Sequence, residues 1–293
     1  MRTMRTTRGE QVFNVVNIVV LFILGLTTLL PFLHVLAKSL SSQVAISLGQ
    51  VTFLPVDFQI GTFQYVLEQE QFVGSFRNSV IVTLVGTVLA LTMTVMIAYP
   101  LSKPKLKGRK FFMLVFVFVM LFSGGMVPNY LLYKTFGLVN TLWALIVPGM
   151  LSVFNILLVK TFFEELPESV EESARIDGAN NFTILFRIVL PMALPVMAAV
   201  GLFFAVAYWN NYFSAVLYIT KPDLKPLQMY LYELISQTTP EMGMELDADR
   251  MMNVDPESIR AATIMLSTLP ILCLYPFLQK YFVKGITIGS VKG

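Results

Sequence analysis

The sequence predicts an all-α integral membrane protein with about six transmembrane helices. Of its 293 residues, 56% are hydrophobic and only 13% are charged, and the mean hydropathy is +0.71, whereas a soluble domain carries roughly 25% charged residues. The apolar residues fall into stretches of about 18 to 25, the length that a helix needs to cross roughly 30 Å of hydrocarbon. Residues 1–293 are therefore expected to form a single transmembrane domain.

Six apolar stretches are predicted to span the membrane. Four of them contain a proline (Pro31, Pro148, Pro195 and Pro270), which a helix bundle tolerates because neighbouring helices and Ser or Thr side chains satisfy the freed carbonyls. The first stretch is expected to stay in the mature protein, since it is long and lacks the small-residue cleavage site of a signal peptide. The predicted spans cover residues 13–37, 78–102, 111–128, 142–163, 188–215 and 259–283.

Clusters of basic residues predict the orientation, because the cytoplasmic segments of membrane proteins carry an excess of Lys and Arg. Both termini are predicted to be cytoplasmic, and the connections 38–77, 129–141 and 216–258 to lie outside, the last as an extended periplasmic loop. The formal charge of +3 follows from this topology, and no basic face of a soluble domain favours nucleic-acid binding. The clustered residues are Arg2, Arg5, Arg8, Lys103, Lys105, Lys107, Arg109, Lys110, Lys280, Lys284 and Lys292.

The predicted spans contain little chemistry of their own. They carry no Asp or Glu, which argues against an ion-coupled carrier or a pump, and the chain has no phosphate-binding loop and no zinc motif. No catalytic residue and no cofactor is expected. His34 is interpreted as an interfacial or packing residue. Asp247 and Asp249 could contribute to a calcium site, but the full loop of oxygen ligands that such a site needs is missing. The alternative that stays open is an ion-coupled secondary carrier or a membrane enzyme.

The connection between the fourth and fifth spans is predicted to be ordered. Pro167 suits the first turn of a helix, and the acidic residues that follow it favour the positive end of the helix dipole. Gly178 is expected to end this helix, and Asn180 or Asn181 to cap a second helix that continues into the fifth span. Residues 164–187 are therefore predicted to form a helix, a glycine turn and a helix on the cytoplasmic surface.

The same connection resembles the signature of the permease subunits of bacterial ABC importers, which reads E-A-A, three residues, G, nine residues, I-x-L-P. The matching positions are Glu172, Ala174, Gly178, Ile188, Leu190 and Pro191. The single departure is Ser173, which is small enough to keep the same packing. In that family the short helix fits a cleft on an ATPase subunit, and the resemblance implies that residues 167–187 do so here. The residues expected to carry this coupling are Glu172, Ser173, Ala174, Asp177, Gly178 and Ala179.

The resemblance also implies a fold and a set of partners. It implies a non-catalytic subunit with the type I ABC importer permease architecture, located in the bacterial inner membrane in contact with lipid. The implied partners are a second homologous permease, two ATPase subunits and a periplasmic or extracellular substrate-binding protein. ATP and Mg would be bound by the ATPase subunits, so this chain needs no cofactor.

Outside this loop, the chain resembles the carbohydrate branch of the family, in particular the smaller subunit of the maltose-permease type. In that type a C-terminal tail reaches between the two ATPase subunits, which implies such a contact for the cytoplasmic tail 284–293, at Gly289, Val291, Lys292 and Gly293; a frayed terminus is the alternative. The supporting segments are Asn78-Ser79, Ala98-Tyr99, Met126-Val127-Pro128, 137–141, Trp209-Asn210 and 285–293.

The substrate is the least determined feature of the sequence. The chain length and the long connection 216–258 look like the subgroup that imports oligosaccharides from acidic polysaccharides, such as a bacterial alginate importer. Cations expected on the outer path of such a sugar are Arg77, Lys134, Arg250 and Arg260, each of which equally suits a helix end.

Four polar or aromatic residues at the outer end of the fifth span are candidates for the substrate path: Tyr208, Trp209, Asn210 and Asn211. The last three stand about 18 to 20 residues beyond Pro191, which places them roughly 27–30 Å along a helix. A Trp face and neighbouring amides suit sugar rings and hydroxyls. A Trp in the interfacial belt and Asn side chains bonded between helices are the equal alternative.

Overall fold

The computed structural model describes residues 8–236 and 255–290, which fold into helices joined by short connections. No strand occurs in those two ranges, so the predicted all-α class is confirmed. The helices are Arg8–Ser39 (α1), Gln43–Ser47 (α2), Gly61–Glu68 (α3), Glu70–Ser102 (α4), Arg109–Leu121 (α5), Met126–Thr135 (α6), Trp143–Ile146 (α7), Val153–Glu165 (α8), Glu168–Ile176 (α9), Asn181–Ile184 (α10), Leu190–Met192 (α11), Leu194–Trp209 (α12), Phe213–Tyr218 (α13), Leu227–Ser236 (α14) and Pro256–Ser290 (α15).

Short non-α segments connect several of these helices. Two turns of 3₁₀-helix occur at Val147–Gly149 and Pro222–Leu224, and a π-helical segment, Leu185–Val189, joins α10 to α11. The segment between residues 216 and 258, expected to be an external loop, contains α14 and begins α15. Its residues 237–254 lie outside the described ranges, and so do Arg250, Asp247 and Asp249.

Three helices among the described residues are each long and apolar enough to cross a membrane: α1, α4 and the part of α15 from Pro256 to Leu274. Three further candidates are pairs of helices bent at a short break, by 112° between α5 and α6, by 46° between α7 with its 3₁₀ turn and α8, and by 84° between the α10–α11 segment and α12. If each bent pair is one span, the total is the predicted six. The orientation of the two termini stays a prediction.

The third, fourth and fifth predicted spans were wrong in one respect, because each was expected as a continuous helix. The third is interrupted at Gly125, whose φ of +85° suits glycine, and the fourth at the turn containing Pro148. The fifth is interrupted at Ala193, between Pro191 and Pro195. Each proline removes one backbone N–H donor. Two prolines within five residues therefore leave too few backbone hydrogen bonds to keep the helix straight. Pro31, by contrast, lies inside the continuous helix α1.

Several predicted boundaries also differ from the structure, among them the start of α4 and the end of α12. Helix α4 begins at Glu70 rather than at residue 78, and α12 ends at Trp209 rather than at residue 215. Hydropathy, which is averaged over a window of residues, locates the apolar centre of a helix. It does not locate the polar residues that cap or extend the two ends. As a result, the residues 210–212 form a turn rather than the last turns of a transmembrane helix.

The described residues form two compact units. One contains α1, α2, α3 and the first part of α15. Its small core includes Ala37 and Ile46, and Lys38 at the end of α1 pairs with Glu257 of α15 at 2.7 Å. Residues 9–31 of α1 are exposed along their whole length, which is the expected state of an apolar helix that contacts lipid or another membrane subunit.

The other unit contains the bundle core, in which α4 packs between α8 and α12. Tyr208 of α12 is buried at its centre, and its hydroxyl donates a hydrogen bond of 2.8 Å to the carbonyl of Ile146. The tyrosine ring lies directly against Gly86 of α4 and Gly149 of the 3₁₀ turn. Small residues allow this close approach, as they do at many helix interfaces in membranes. Tyr208 therefore joins three elements of the bundle.

We expect Gly86→Ala to destabilise this unit. The added Cβ would lie 2.7 Å from the ring of Tyr208, and overpacking of this kind costs about 1–3 kcal/mol. The measurement is the midpoint of thermal denaturation of the purified protein in detergent. Gly74→Ala on the same helix is the matched control, because nothing lies within 4 Å of the Cβ it would add. Equal midpoints for the two variants would contradict the proposed close packing.

Candidate functional site

The connection between α8 and α12 has the predicted helix, glycine turn and helix. Pro167 lies at the N-cap of α9, one position before the first turn in which it was expected. At the other end Gly178 has φ +81°. Its N–H donates to the carbonyl of Arg175 at 3.1 Å, and the N–H of Ala179 donates to the carbonyl of Ala174 at 2.9 Å. These two bonds form a Schellman motif, which requires a left-handed residue that glycine adopts without strain.

The second helix is capped as predicted. The Oδ1 atom of Asn180 accepts a hydrogen bond of 2.8 Å from the backbone N–H of Thr183. Helix α10 then passes through the π-helical segment and α11 before the chain bends sharply into α12. The glycine turn is therefore followed by a short helical segment, Asn181–Met192, that meets α12 at an angle of 84°.

The six residues predicted for ATPase coupling divide into two faces of the loop. Ala174 is buried in the bundle core, and Ala179 is half-buried against it. The other four, Glu172, Ser173, Asp177 and Gly178, are exposed. This division follows from the 3.6-residue period, which places residues 171 and 174 on one side of α9 and residues 172, 173 and 176 on the other.

A buried carboxylate attaches α9 to the end of α4. The residue is Glu171, only 8% exposed, and it accepts a hydrogen bond from the ammonium group of Lys103. Arg175, one turn further along α9, lies 3.7 Å from the same carboxylate. The Lys103 ammonium also lies 4.7 Å from the centre of the Tyr99 ring, so it has a cation–π contact as well as its ion pair.

A second ionic cluster lies beside the first, where α8 ends. Glu164 accepts hydrogen bonds from Arg109 and from Lys160, the latter at 2.7 Å. Arg109 also donates to the carbonyl of Leu101 at 2.8 Å, near the end of α4. A cleft between the two clusters is lined by Ser102, Lys103, Pro104, Phe163, Glu164, Leu166, Glu168 and Glu171. Complementary charges thus connect the end of α4 to α9, and the start of α5 to the end of α8.

Sequence reasoning missed these clusters, although their signal was present. It used Lys103 and Arg109 only to orient the chain, and it used the acidic residues of α9 only as partners of the helix dipole. Both groups were predicted to lie on the same side of the membrane, where opposite charges in neighbouring connections attract. Which pairs form depends on the packing of α4 against α8, and no local pattern encodes it.

An exposed apolar side chain was also missed. Ile176, the last residue of α9, is 86% exposed and lies directly before Asp177 and the Gly178 turn. A large side chain this exposed contributes little to the fold of its own chain. Next to exposed polar residues, it is typical of a surface that another protein covers.

The four candidates for the substrate path separate in the structure. Tyr208 and Trp209 are buried, and the Trp209 ring meets the Phe76 ring edge to face with 5.8 Å between centroids. Asn210 is exposed and caps α12. Asn211 is half-buried, and its Oδ1 atom accepts a hydrogen bond of 3.3 Å from the N–H of Ser214. A role in the substrate path stays a prediction for all four residues, of which the two aromatic ones pack inside the chain.

Other predicted residues fall in different places. Arg77 and Lys134 are exposed, and Arg260 donates to the carbonyl of Leu234 at 3.1 Å, as a residue that anchors a helix does. Gly289 lies near the end of α15, and Val291, Lys292 and Gly293 lie outside the described residues. Among the residues that the structure describes, no group of three His, Cys, Asp or Glu side chains could hold a metal ion.

A comparison with known protein families shows which family this chain belongs to. Residues 108–288 match the family described as the inner membrane component of binding-protein-dependent transport systems. The match covers more than half of the chain and includes both the α9 loop and the bent helices around it. The chain belongs to this family. As a member, it is a multi-pass protein of the inner membrane, which confirms the predicted location.

Two relatives and one solved structure match nearly the whole length of this family member. The protein LplC of Bacillus subtilis (strain 168) is 42% identical over 99% of this chain and 98% of its own. The polygalacturonan/rhamnogalacturonan transport system permease protein YtcP of the same organism is 39% identical over 93% of this chain and 96% of its own.

The solved structure is that of a bacterial ABC transporter involved in the import of the acidic polysaccharide alginate. One of its chains is 34% identical to this permease and covers 96% of it, with all of that chain aligned and a TM-score of 0.90. The predicted resemblance to ABC importer permeases, and the type I permease fold that it implied, are therefore confirmed. The relative YtcP is named as a transport system permease, in agreement with the expected non-catalytic role.

We expect Glu171→Ala to loosen the loop, because it leaves the Lys103 ammonium without its carboxylate. Breaking a fully buried pair costs roughly 3–5 kcal/mol, and the cost here should be smaller because the side chain of Lys103 is 26% exposed. The thermal midpoint of the purified protein measures the loss. Glu172→Ala, at the neighbouring exposed position, should change stability by less than about 0.5 kcal/mol.

A double-mutant cycle isolates the pair itself. Lys103→Ala combined with Glu171→Ala should cost less than the sum of the two single changes, because the second change removes a charge that the first has already left without its partner. Strict additivity, or equal midpoints for Glu171→Ala and Glu172→Ala, would show that this ion pair does not hold α9.

Proposed function

We propose that this chain is a translocation-pathway subunit of an ATP-driven importer of oligosaccharides, and that α9 with the Gly178 turn receives the motion of an ATPase subunit. The observation that carries the proposal is the two-faced structure of α9. Its inner face is attached to the bundle through Ala174 and the Lys103–Glu171 pair. Its outer face presents Glu172, Ser173 and Ile176 to solvent, as a docking helix requires.

The attachment of α9 explains how a push on the loop would reach the membrane. A displaced α9 moves the end of α4 through the Lys103–Glu171 pair. The end of α4 is joined in turn to the end of α8 by Arg109, which donates to the carbonyl of Leu101 and pairs with Glu164. These two helices pack against each other, and α12 packs on α4. Rigid packed helices transmit such motion with little loss. Alternating access would follow when ATPase subunits close and open beneath this permease and a second one.

The remaining predicted partners and segments belong to the same proposal. Two ATPase subunits bind ATP and Mg, and residues 164–187 form the coupling loop that meets one of them. The tail 284–293 supplies a second contact with the ATPase dimer. The segment 216–258 faces a periplasmic substrate-binding protein that delivers the sugar. This chain contributes neither catalysis nor a cofactor.

We further propose that the sugars are acidic oligosaccharides. The relative YtcP is named for polygalacturonan and rhamnogalacturonan, and the similar solved transporter imports alginate. Polygalacturonan and alginate are polymers whose sugar units carry carboxylates. Exposed cations at Arg77 and Lys134, on the side predicted to be external, would raise the local concentration of such anions. Alginate-type oligosaccharides are one member of this class.

The assembled complex tests this function directly. The chain is purified from its native membrane, the subunits that accompany it are identified, and the complex is placed in vesicles. ATP hydrolysis is then measured with neutral and uronate oligosaccharides supplied on the binding protein. Stimulation by uronate oligosaccharides is expected. Uptake by this chain alone, driven by an ion gradient, would instead establish the secondary carrier that the sequence left as an alternative.

Ile176→Asp should prevent the ATPase subunits from assembling with the permease. The side chain is 86% exposed, so the fold of the permease should be unaffected, whereas a carboxylate in an apolar contact is desolvated without a partner. Co-purification of ATPase subunits is the measurement. Leu54→Asp is the matched control, since Leu54 is 78% exposed and lies in the segment between α2 and α3. Normal assembly of the Ile176 variant would exclude α9 as the docking helix.

Gly178→Val should abolish substrate-stimulated ATP hydrolysis, because a β-branched residue is strained at φ +81° and would distort the turn. Gly178→Asn should retain much of the stimulation, since asparagine tolerates the left-handed conformation. Nothing within 4 Å obstructs an added Cβ in this chain. If stimulation is normal in the valine variant, the turn has no coupling role.

A further inference from the structure

The turn that follows α12 faces the side of α14. Asn210 ends α12, and the N–H of Tyr212 donates to the carbonyl of Asn210 at 2.8 Å, which makes the turn tight. Gln228 and Tyr232 are four residues apart on α14 and so share one face of that helix. The Nε2 atom of Gln228 donates to Oδ1 of Asn210 at 3.5 Å. The rings of Tyr212 and Tyr232 lie 4.5 Å apart between centroids, tilted by 39°.

These four residues, Asn210, Tyr212, Gln228 and Tyr232, form a small outer ledge that is open to solvent. Asn210 is exposed, Tyr232 is 53% exposed, and the other two are half-buried. The hydrogen bond between the two amides is at the long limit for such a bond. A ligand hydroxyl can therefore replace it at small cost.

The support beneath the ledge is rigid. Leu227, at the start of α14, donates its N–H to the hydroxyl of Ser79 at 2.7 Å. The side chain of Asn78 donates to the carbonyls of Asp223 and Lys225, at 2.8 and 3.1 Å. Both contacts attach the chain that leads into α14 to the body of α4. The ledge is therefore held in place before any ligand arrives, which lowers the entropic cost of binding.

The charge beside the ledge is already neutralised. Glu233 follows Tyr232 directly, and its carboxylate accepts a hydrogen bond of 2.7 Å from the ammonium group of Lys225. A ledge of aromatic rings and amides without net charge is suited to the face and the hydroxyls of a sugar ring, which offer C–H groups for stacking and donors and acceptors for amides. It is not suited to a free anion.

We infer that this ledge is a sugar-contact site at the outer end of the pathway, at which Tyr212 and Tyr232 stack on a sugar ring and Asn210 and Gln228 bind its hydroxyls. The inference rests on the proposed function and refines it, because it replaces the buried Tyr208 and Trp209 by residues that the solvent reaches. Carboxylates of the sugar would be met elsewhere on the outer surface. The ledge itself recognises the ring, so it serves oligosaccharides rather than small anions.

The test uses the assembled complex in vesicles, with galacturonate oligosaccharides on its binding protein at saturating concentration. Tyr232→Leu should lower the rate of sugar uptake roughly 2- to 12-fold, the worth of an aromatic contact, whereas Tyr232→Phe, which keeps the ring, should retain most of it. Gln228→Leu should lower uptake as well. The concentration of loaded binding protein that half-stimulates ATP hydrolysis should stay unchanged in all three variants.

Phe213→Leu is the control for a general role of aromatic residues at the membrane surface. Phe213 is exposed and adjoins Tyr212, but it is not part of the ledge, so its replacement should leave uptake unchanged. An equal loss in this control would assign the tyrosines to the membrane interface and overturn the inference. So would unchanged uptake in both Tyr232→Leu and Gln228→Leu.

Two further outcomes separate the inference from the proposed function. If the half-stimulating concentration of binding protein rises in Tyr232→Leu, the ledge is a docking surface for that protein, and the sugar-contact inference is wrong while the importer function stands. If wild-type complexes neither take up an oligosaccharide nor respond to one by hydrolysing ATP, the function itself is wrong, and the inference falls with it.

Discussion

The ion pair between Glu171 and Lys103 is the interaction on which the proposed mechanism depends. A helix of nine residues is too short to be stable in water by itself, and α9 has only a few apolar side chains to bury. The pair attaches it to the end of α4, with Arg175 and the ring of Tyr99 alongside. Because one partner is buried, losing the contact leaves a desolvated charge, so α9 and α4 are strongly favoured to stay together.

The packing of α4, α8 and α12 connects this ion pair to the rest of the bundle. Tyr208 joins α12 to α4 and to the 3₁₀ turn before α8, through its contacts with Gly86 and Gly149. Such a joint has little freedom, since any shift of one element compresses the ring against another. At the breaks in the bent helices, by contrast, the backbone is less constrained. Around Ala193, the prolines and the π-helical segment weaken the backbone ladder, which provides a place where the chain can change direction.

Much of the loop could be predicted because its determinants are local. Gly178 and Asn180 act through the backbone within a few residues, and both occupy the predicted positions of a turn and a cap. The burial of one face of α9 and the exposure of the other were not predicted. The family signature runs through both faces, so it grouped the buried Ala174 with the exposed Glu172. The burial of Tyr208 and Trp209 was also missed, since it depends on Gly86 and Phe76, more than 100 residues earlier in the chain.

The sequence by itself determined that the chain has about six apolar stretches long enough to cross a membrane and carries a helix, glycine turn and helix between two of them, because hydrophobic length and backbone capping are properties of short segments. It also determined the family, through a spaced signature within one loop. Only the tertiary structure decided that Lys103 pairs with Glu171, that three spans are bent, and that Tyr212 and Tyr232 meet at the outer ledge. These features arise where distant segments pack together, and the energy of such contacts depends on distances that no local pattern encodes.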